Sequence, residues 1–256
     1  MSVSSGRFVW YELMTTDTKA AQAFYGSVVG WGTQPSPGDM PYTLFTAGEV
    51  PVGGLMAQPE QARQSGAPPA WIAYVAVADV DQAADQVKRL GGNIYVPPTD
   101  IPDIGRFSVV TDPQAAAFNL FAPSRPGPNE PLAPGTPGHV GWHELHAADW
   151  QKAFDFYAEM FGWQKAEPMD MGPMGTYQLF SAGEHPIGGM FNKPPAEPRP
   201  YWLYYFNVAD IDAAAGRVTA GGGKILNGPQ EVPGGAWIIQ GMDPQGAMFA
   251  LVGKRG

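Results

Sequence analysis

Two stretches of the chain, "VWYELMTTDTKAAQAFYGSVVGW" (Val9–Trp31) and "GWHELHAADWQKAFDFYAEMFGW" (Gly141–Trp163), align without a gap. Trp10, Glu12, Leu13, Asp17, Phe24, Tyr25, Gly30 and Trp31 recur as Trp142, Glu144, Leu145, Asp149, Phe156, Tyr157, Gly162 and Trp163. The agreement continues downstream. "YTLFTAGEVPVGGLM" matches "YQLFSAGEHPIGGMF", "WIAYVAVADVDQAADQV" matches "WLYYFNVADIDAAAGRV", and "TDPQAAAFNLF" matches "MDPQGAMFALV". Self-similarity over half a chain means that both halves adopt one fold. The expected layout is a first domain over residues 1–122, a linker over 123–138 and a second domain over 139–256. Proline and glycine dominate the linker, which reads as stiff and exposed.

Each half divides again. A strand runs to Asp17 or Asp149, where an Asp can cap the free N–H groups of a following helix. Ala21, Phe24, Tyr25 and Val28 then fall at i, i+3, i+4 and i+7, one helical face, and Gly30 stops the helix. Short strands follow, including "YTLFTAG" and "PVGGLMA". The second part repeats the plan, with Val80, Ala83, Ala84 and Val87 on one helical face, or Ile211, Ala214, Ala215 and Val218 in the other half. The unit is β-α-β-β-β, present four times over about 7–60, 68–122, 139–195 and 199–253, an α+β chain.

With 256 residues and 44% hydrophobic content, the chain can fill the cores this plan requires. A formal net charge of -9 argues against nucleic acid as a partner. The absence of cysteine excludes disulfides, thiolate catalysis and iron–sulfur clusters. "MSVSSGRFVWYEL" lacks the apolar run of a secretory signal, and no segment has the length of a membrane span. The expectation is a cytoplasmic protein without membrane contacts.

The four modules, with "V-x-D" closing the first strand and "DP-x-G/A" before the last, resemble the vicinal oxygen chelate superfamily. That superfamily includes glyoxalase I, bleomycin-resistance proteins, fosfomycin-resistance enzymes and extradiol dioxygenases. The chain looks most like its tandem-domain glyoxalase-like members. The resemblance implies two glyoxalase-like domains, each curling its sheet around a metal or small ligand. It places a metal histidine seven residues before the strand-ending Asp. Here those positions are Trp10, Ile72, Trp142 and Leu203. It places a carboxylate seven residues after the Asp of "DP", which falls on Asn119 and Ala250. Imidazole and carboxylate suit Fe, Mn, Ni or Zn, and these side chains do not. The standard metal ligands are thus missing. These residues fix no cofactor; a divalent metal stays open as an option but would need other ligands, with Glu144 and His146 the nearest pair.

"HELH" (His143–His146) at first suggests a reduced zinc motif. Its counterpart "YELM" keeps only the Glu and Leu, and strand alternation puts His143 and His146 on opposite faces. The face that carries Trp142 also carries Glu144 and His146; in the first domain it carries Trp10, Glu12 and Met14. The second modules and last strands would add Tyr74, Asn119 and Phe121, or Tyr205 and Asn207. A carboxylate among aromatic and apolar side chains is the make-up of a small-molecule pocket. Glu12 and Glu144 are the candidate acid–base residues, and the others are candidate ligand contacts. The loops Pro35–Tyr42 and Glu167–Tyr177 are candidate roofs, and the glycine pairs 53–54 and 188–189 read as bends or bulges.

Three function classes remain open. One is a metal-independent protein that binds a hydrophobic or aromatic metabolite or antibiotic. Another is a lyase, isomerase or oxygenase using Glu12 or Glu144. The third is a degenerate scaffold. The chain is expected to be a monomer or homodimer.

Overall fold

A computed structural model describes residues 5–37, 41–125, 133 and 135–256. Half of the expected linker and residues 38–40 of one expected roof lie outside them.

The four modules are present. The first holds β1 (Phe8–Thr15), α1 (Thr18–Val28), β2 (Gly32–Pro35), β3 (Thr43–Ala47) and β4 (Val50–Ala57). A one-turn helix, α2 (Glu60–Gln64), leads to β5 (Ala70–Ala76), α3 (Val80–Arg89), β6 (Asn93–Ile101), β7 (Gly105–Thr111) and β8 (Ala117–Pro123). The second domain repeats this with β9 (Val140–Ala147), α4 (Trp150–Phe161), β10 (Gln164–Asp170), β11 (Thr176–Ser181) and β12 (Pro186–Asn192). It ends with β13 (Tyr201–Asp210), α5 (Ile211–Ala220), β14 (Lys224–Val232), β15 (Ala236–Met242) and β16 (Met248–Lys254). Each domain forms one eight-stranded sheet. The strand orders are β2-β3-β4-β1-β5-β8-β7-β6 and β10-β11-β12-β9-β13-β16-β15-β14. In each module the first and last strands pair in parallel, as β1 with β4 and β9 with β12. The rest of the module is an antiparallel meander, as in β2-β3-β4 and β10-β11-β12.

The strand-ending Asp residues are helix caps. Asp17, Asp79, Asp149 and Asp210 each accept a bond from the backbone N–H three residues on. That satisfies one of the orphan donors of the first helical turn, typically worth about 1 kcal/mol. Past α4, Gly162 takes the left-handed conformation at φ 71, where a side chain is strained. The predicted apolar faces are buried: Ala21, Phe24, Tyr25 and Val28 on α1, and Val80, Ala83, Ala84 and Val87 on α3. On α5, Ile211, Ala214 and Val218 are buried, but Ala215 is only half-buried at the edge of the stripe. The segment expected as the loop Glu167–Tyr177 is instead mostly a hairpin: it continues β10 to Asp170, turns at Gly172–Met174 and enters β11.

By contacts the chain divides into two compact units, and each joins modules from both domains. One consists of Met1–Val9, Ala73–Pro131 and Trp142–Trp202; the other of Trp10–Ile72, Leu132–Gly141 and Leu203–Gly256. The Asp of each "DP" motif explains why. In the first unit, Asp112 of the first domain accepts the Tyr157 hydroxyl of the second at 3.2 Å, and Tyr157 accepts the Trp202 indole N–H at 2.9 Å. Asp112 also accepts the backbone N–H groups of Gln114 and Ala116, closing its own turn. The second unit repeats the lock with Asp243, Tyr25 and Trp71, at 3.0 and 2.8 Å. Burial raises both carboxyls, against the pull of the loop N–H groups and the tyrosine. Aromatic rings fill in around each lock. Tyr157 packs with Trp163, Trp202 and Phe118, and Tyr25 with Trp71, Phe45 and Phe206.

Candidate functional site

The glutamates shared by the two copies are each the end of a three-residue relay. In the first domain the Trp10 indole N–H donates to the Tyr42 hydroxyl at 3.0 Å, and that hydroxyl donates to Glu12 Oε2 at 2.8 Å. In the second, Trp142 donates to Tyr177 at 2.8 Å, and Tyr177 donates to Glu144 Oε2 at 2.8 Å. An indole can only donate, so the phenol must spend its own proton on the carboxylate. Burial, then the neighbouring carboxylate, pushes Tyr42 and Tyr177 well above the ordinary tyrosine range. Both therefore stay neutral donors at any physiological pH. Glu12 and Glu144 are buried, while Trp10 and Trp142 are only half-buried.

The glycine pairs make the relay sterically feasible. In β12 a Cβ on Gly189 would overlap the Tyr177 ring, and one on Gly188 would overlap the His143 carbonyl and the Phe180 ring. In β4 a Cβ on Gly54 would overlap the Tyr42 hydroxyl and ring. The tyrosine thus lies across bare backbone to reach the glutamate. Register shifts do occur in this region, between β11 and β12 at Phe180/Ser181 and between β3 and β4 at Phe45/Thr46. The glycines themselves serve close approach. Gly189→Ala should unseat Tyr177, with a loss of about 1–3 kcal/mol as overpacking. A melting temperature equal to that of the parent chain would refute this role.

Beyond the shared relay, the second domain carries an extension. His146 Nε2 bonds Glu144 Oε1 at 2.9 Å, and its Nδ1 bonds Glu197 Oε2 at 2.8 Å. The ring stacks on Tyr201 at 4.4 Å and meets Phe191 edge-on at 4.6 Å. Burial alone would lower the imidazole, but hydrogen bonds and charge from Glu144 and Glu197 outweigh it and raise it to about 9. His146 is an imidazolium between two carboxylates. Met14, Met56 and Ala70 stand at the aligned positions of the first domain in place of His146, Phe191 and Tyr201, so the extension belongs to one domain only. His143, on the opposite face, bonds the Ile187 carbonyl at 2.7 Å and stacks on Phe8 at 3.9 Å. Burial pushes it down to about 4, so it is neutral.

The remaining candidates fall in the second modules. Tyr74, Asn119 and Phe121 gather on one face, with Tyr74 opposite Asn119 in register and Phe121 5.9 Å from the Tyr74 ring. Tyr205 accepts the Gln240 side-chain amide at 2.7 Å, and Gln240 in turn accepts from Asn227. Asn207 packs against Gly141, where a Cβ would overlap its side-chain oxygen. Tyr42 and Tyr177 entered the sequence reading only as the ends of the candidate roofs, and Glu197 did not enter it. The signal for the tyrosines was there: "YTLF" and "YQLF" recur together with the glutamates.

A metal does not fit the positions where the superfamily would hold one. The indole N–H groups of Trp10 and Trp142 are occupied donors, Ile72, Leu203 and Ala250 are hydrocarbon, and Asn119 offers one amide oxygen. Glu144 and His146 do not make up for them. The two imidazole nitrogens point in opposite directions, each into a carboxylate, and both carry protons. Among the described residues, no group of three or more His, Asp or Glu is arranged to hold a metal ion.

The chain belongs to the Glyoxalase/Bleomycin resistance protein/Dioxygenase superfamily, whose family model matches residues 7–120 and 137–251. It is 35% identical over 247 residues to CFP32 of Mycobacterium tuberculosis, whose name assigns it provisionally to the glyoxylases; 95% of this chain and 93% of that one are covered. It is 31% identical over 265 residues to the anthracycline biosynthesis protein DnrV of Streptomyces peucetius, covering 98% and 94%. Among solved structures, its fold is similar to the Mn(II)-bound glyoxalase of Novosphingobium aromaticivorans, with TM-score 0.66 and 20% identity over 100% of this chain and 83% of that one. The homoprotocatechuate 2,3-dioxygenase of Brevibacterium fuscum, in complex with 3,4-dihydroxyphenylacetate, gives TM-score 0.68 and 16% identity over 100% and 82%. No helix of the described residues is long and apolar enough to cross a membrane.

Proposed function

We propose that the chain binds a small hydrophobic aromatic molecule against the Trp–Tyr–Glu relay of each domain, without a metal. The observation that carries this reading is the duplicated relay. A buried carboxylate is fixed by a neutral tyrosine beside a half-buried indole on which a ligand ring can stack. The name of DnrV, a relative across nearly the whole chain, suggests polycyclic aromatics as the ligand class. The test is calorimetric titration of the full chain with an anthracycline. The expected result is saturable binding, weakened about tenfold in the Glu12→Gln, Glu144→Gln double variant, as expected when charge-assisted bonds are lost. Failure of the parent chain to bind would remove the reading.

One observation favours a second reading, an acid–base enzyme working in the second domain alone. The His146 imidazolium, held by Glu197, touches the same carboxylate that a substrate would meet. Glu144 would take a substrate proton, with the His146–Glu197 pair holding the local charge. Turnover of a methylglyoxal–thiol adduct, abolished by Glu144→Gln but not by Glu12→Gln, would select this reading over simple binding.

A further inference from the structure

The second modules of the two domains differ in where their polar side chains stand. In the second domain the amide on the β13-β16-β15 face is Gln240, which donates to Tyr205 and accepts from Asn227. Its register partner on β16 is Ala250. In the first domain the polar position moves one strand over. Val109 occupies the β7 site, and Asn119 stands on β8 between Tyr74 and Val109. Asn119 is 1% exposed, yet its side-chain oxygen has no hydrogen-bond partner among the described residues. Buried carbonyl oxygens are seldom left unanswered, because such an atom has lost its water and gained nothing in return.

The surroundings of this oxygen are aromatic. Phe118 and Leu120, alternating with Asn119, are fully buried on the other face of β8, the side on which α3 packs. On the Asn119 face lie Tyr74, Phe107 and Phe121, with ring centroids 6.4 Å apart for Tyr74–Phe107 and 5.9 Å for Tyr74–Phe121. Phe107, Val109 and Phe121 are only half-buried.

We infer that this face of β5, β7 and β8 recognises an aromatic molecule bearing a neutral hydrogen-bond donor, a ring hydroxyl or N–H, which it grips through the Asn119 side-chain oxygen. The rings of Tyr74, Phe107 and Phe121 contact the apolar body of the ligand. Asn119 selects for the donor, because a ligand with only an acceptor leaves two oxygens facing each other. The second domain lacks this amide contact, since Gln240 is already committed to Tyr205 and Asn227. The inference rests on the binding reading above and adds which domain discriminates, and by which atom.

The probes are 2-naphthol and 2-methoxynaphthalene, which share a ring system and differ in whether the oxygen donates. Each is titrated calorimetrically into the full chain at neutral pH. The parent chain should bind one equivalent of 2-naphthol roughly tenfold more tightly than 2-methoxynaphthalene, the size expected for pairing a buried acceptor. Asn119→Leu should bind 2-naphthol about tenfold more weakly than the parent chain does, with the affinity for 2-methoxynaphthalene unchanged. The double variant Val109→Gln, Asn119→Ala transplants the second domain's own residues and guards against a folding defect in the first variant. It should show the same loss of 2-naphthol affinity while keeping the parent's melting temperature. Equal affinity of the parent chain for both probes, or a 2-naphthol affinity unchanged in both variants, overturns the inference and leaves the binding reading standing. If the parent chain binds neither probe, the inference is overturned; anthracycline titration then decides the broader reading independently.

Discussion

His146→Met should lower the stability of the chain by about 3–5 kcal/mol at neutral pH, although methionine is what the first domain carries at this place. The side chain is 3% exposed and is the cation between Glu144 and Glu197. Removing it leaves two carboxylates facing a hydrocarbon, and a buried charge without its partner is among the costliest defects a core can hold. For a domain of this size the loss should appear as a drop of about 10 °C in melting temperature. The pH dependence has a definite sign. His146 titrates at about 9 in the fold against an ordinary 6.5, which corresponds to on the order of 3 kcal/mol. That stabilisation is fully present below about 6.5 and is lost as pH rises through 9. The gap between parent and variant should therefore narrow from pH 7 to pH 10. Adding Glu197→Gln to the variant should restore part of the loss. Equal stability at pH 7, or a gap that widens with pH, would contradict the assignment of an imidazolium. His143 has the opposite sign. Its neutral form supports the fold above 6.5, and that support fades as pH falls toward 4.

The second large effect lies away from the relays. Asp112→Ala should cost about 3–5 kcal/mol, because it strips the partner from three donors at once: the Gln114 and Ala116 backbone N–H groups and the Tyr157 hydroxyl. Asp112→Asn keeps one oxygen for the turn and should cost less than half as much. The two variants separate the turn from the lock to Tyr157. Because that tyrosine belongs to the other domain, Asp112→Ala should also make amide exchange faster in α4 than in α1, whose partner is Asp243. Uniform exchange changes in both helices would contradict the pairing of modules into separate units.

The four-module plan was legible because each module repeats the same periodicities, and the helix caps were legible because Asp sits at one fixed place in every copy. Strand alternation also separated His143 from His146 correctly. What could not be read were contacts made far along the chain. Tyr177 reaches Glu144 from 33 residues away, and Glu197 reaches His146 from 51. Tyr42 and Tyr177 recur with their glutamates, yet alternation within a strand does not carry a residue at the end of a roof loop to the glutamate. Glu197 has no counterpart in the first domain and sits in a proline-rich segment, so the internal copy, which guided every other choice, points away from it. The glycine pairs read as bends because sequence shows a missing side chain but not the ring that lies over it. The Asp of "DP" was visible as a motif, while its partner across the domains required the fold.

The most direct test of a metal-free, relay-based binding site is anthracycline titration of protein stripped with a chelator, alongside protein supplied with Mn(II) or Fe(II). The account predicts the same affinity in both, and a loss of about tenfold in the Glu12→Gln, Glu144→Gln variant. Binding that appears only with added metal, or that ignores both glutamates, would contradict it.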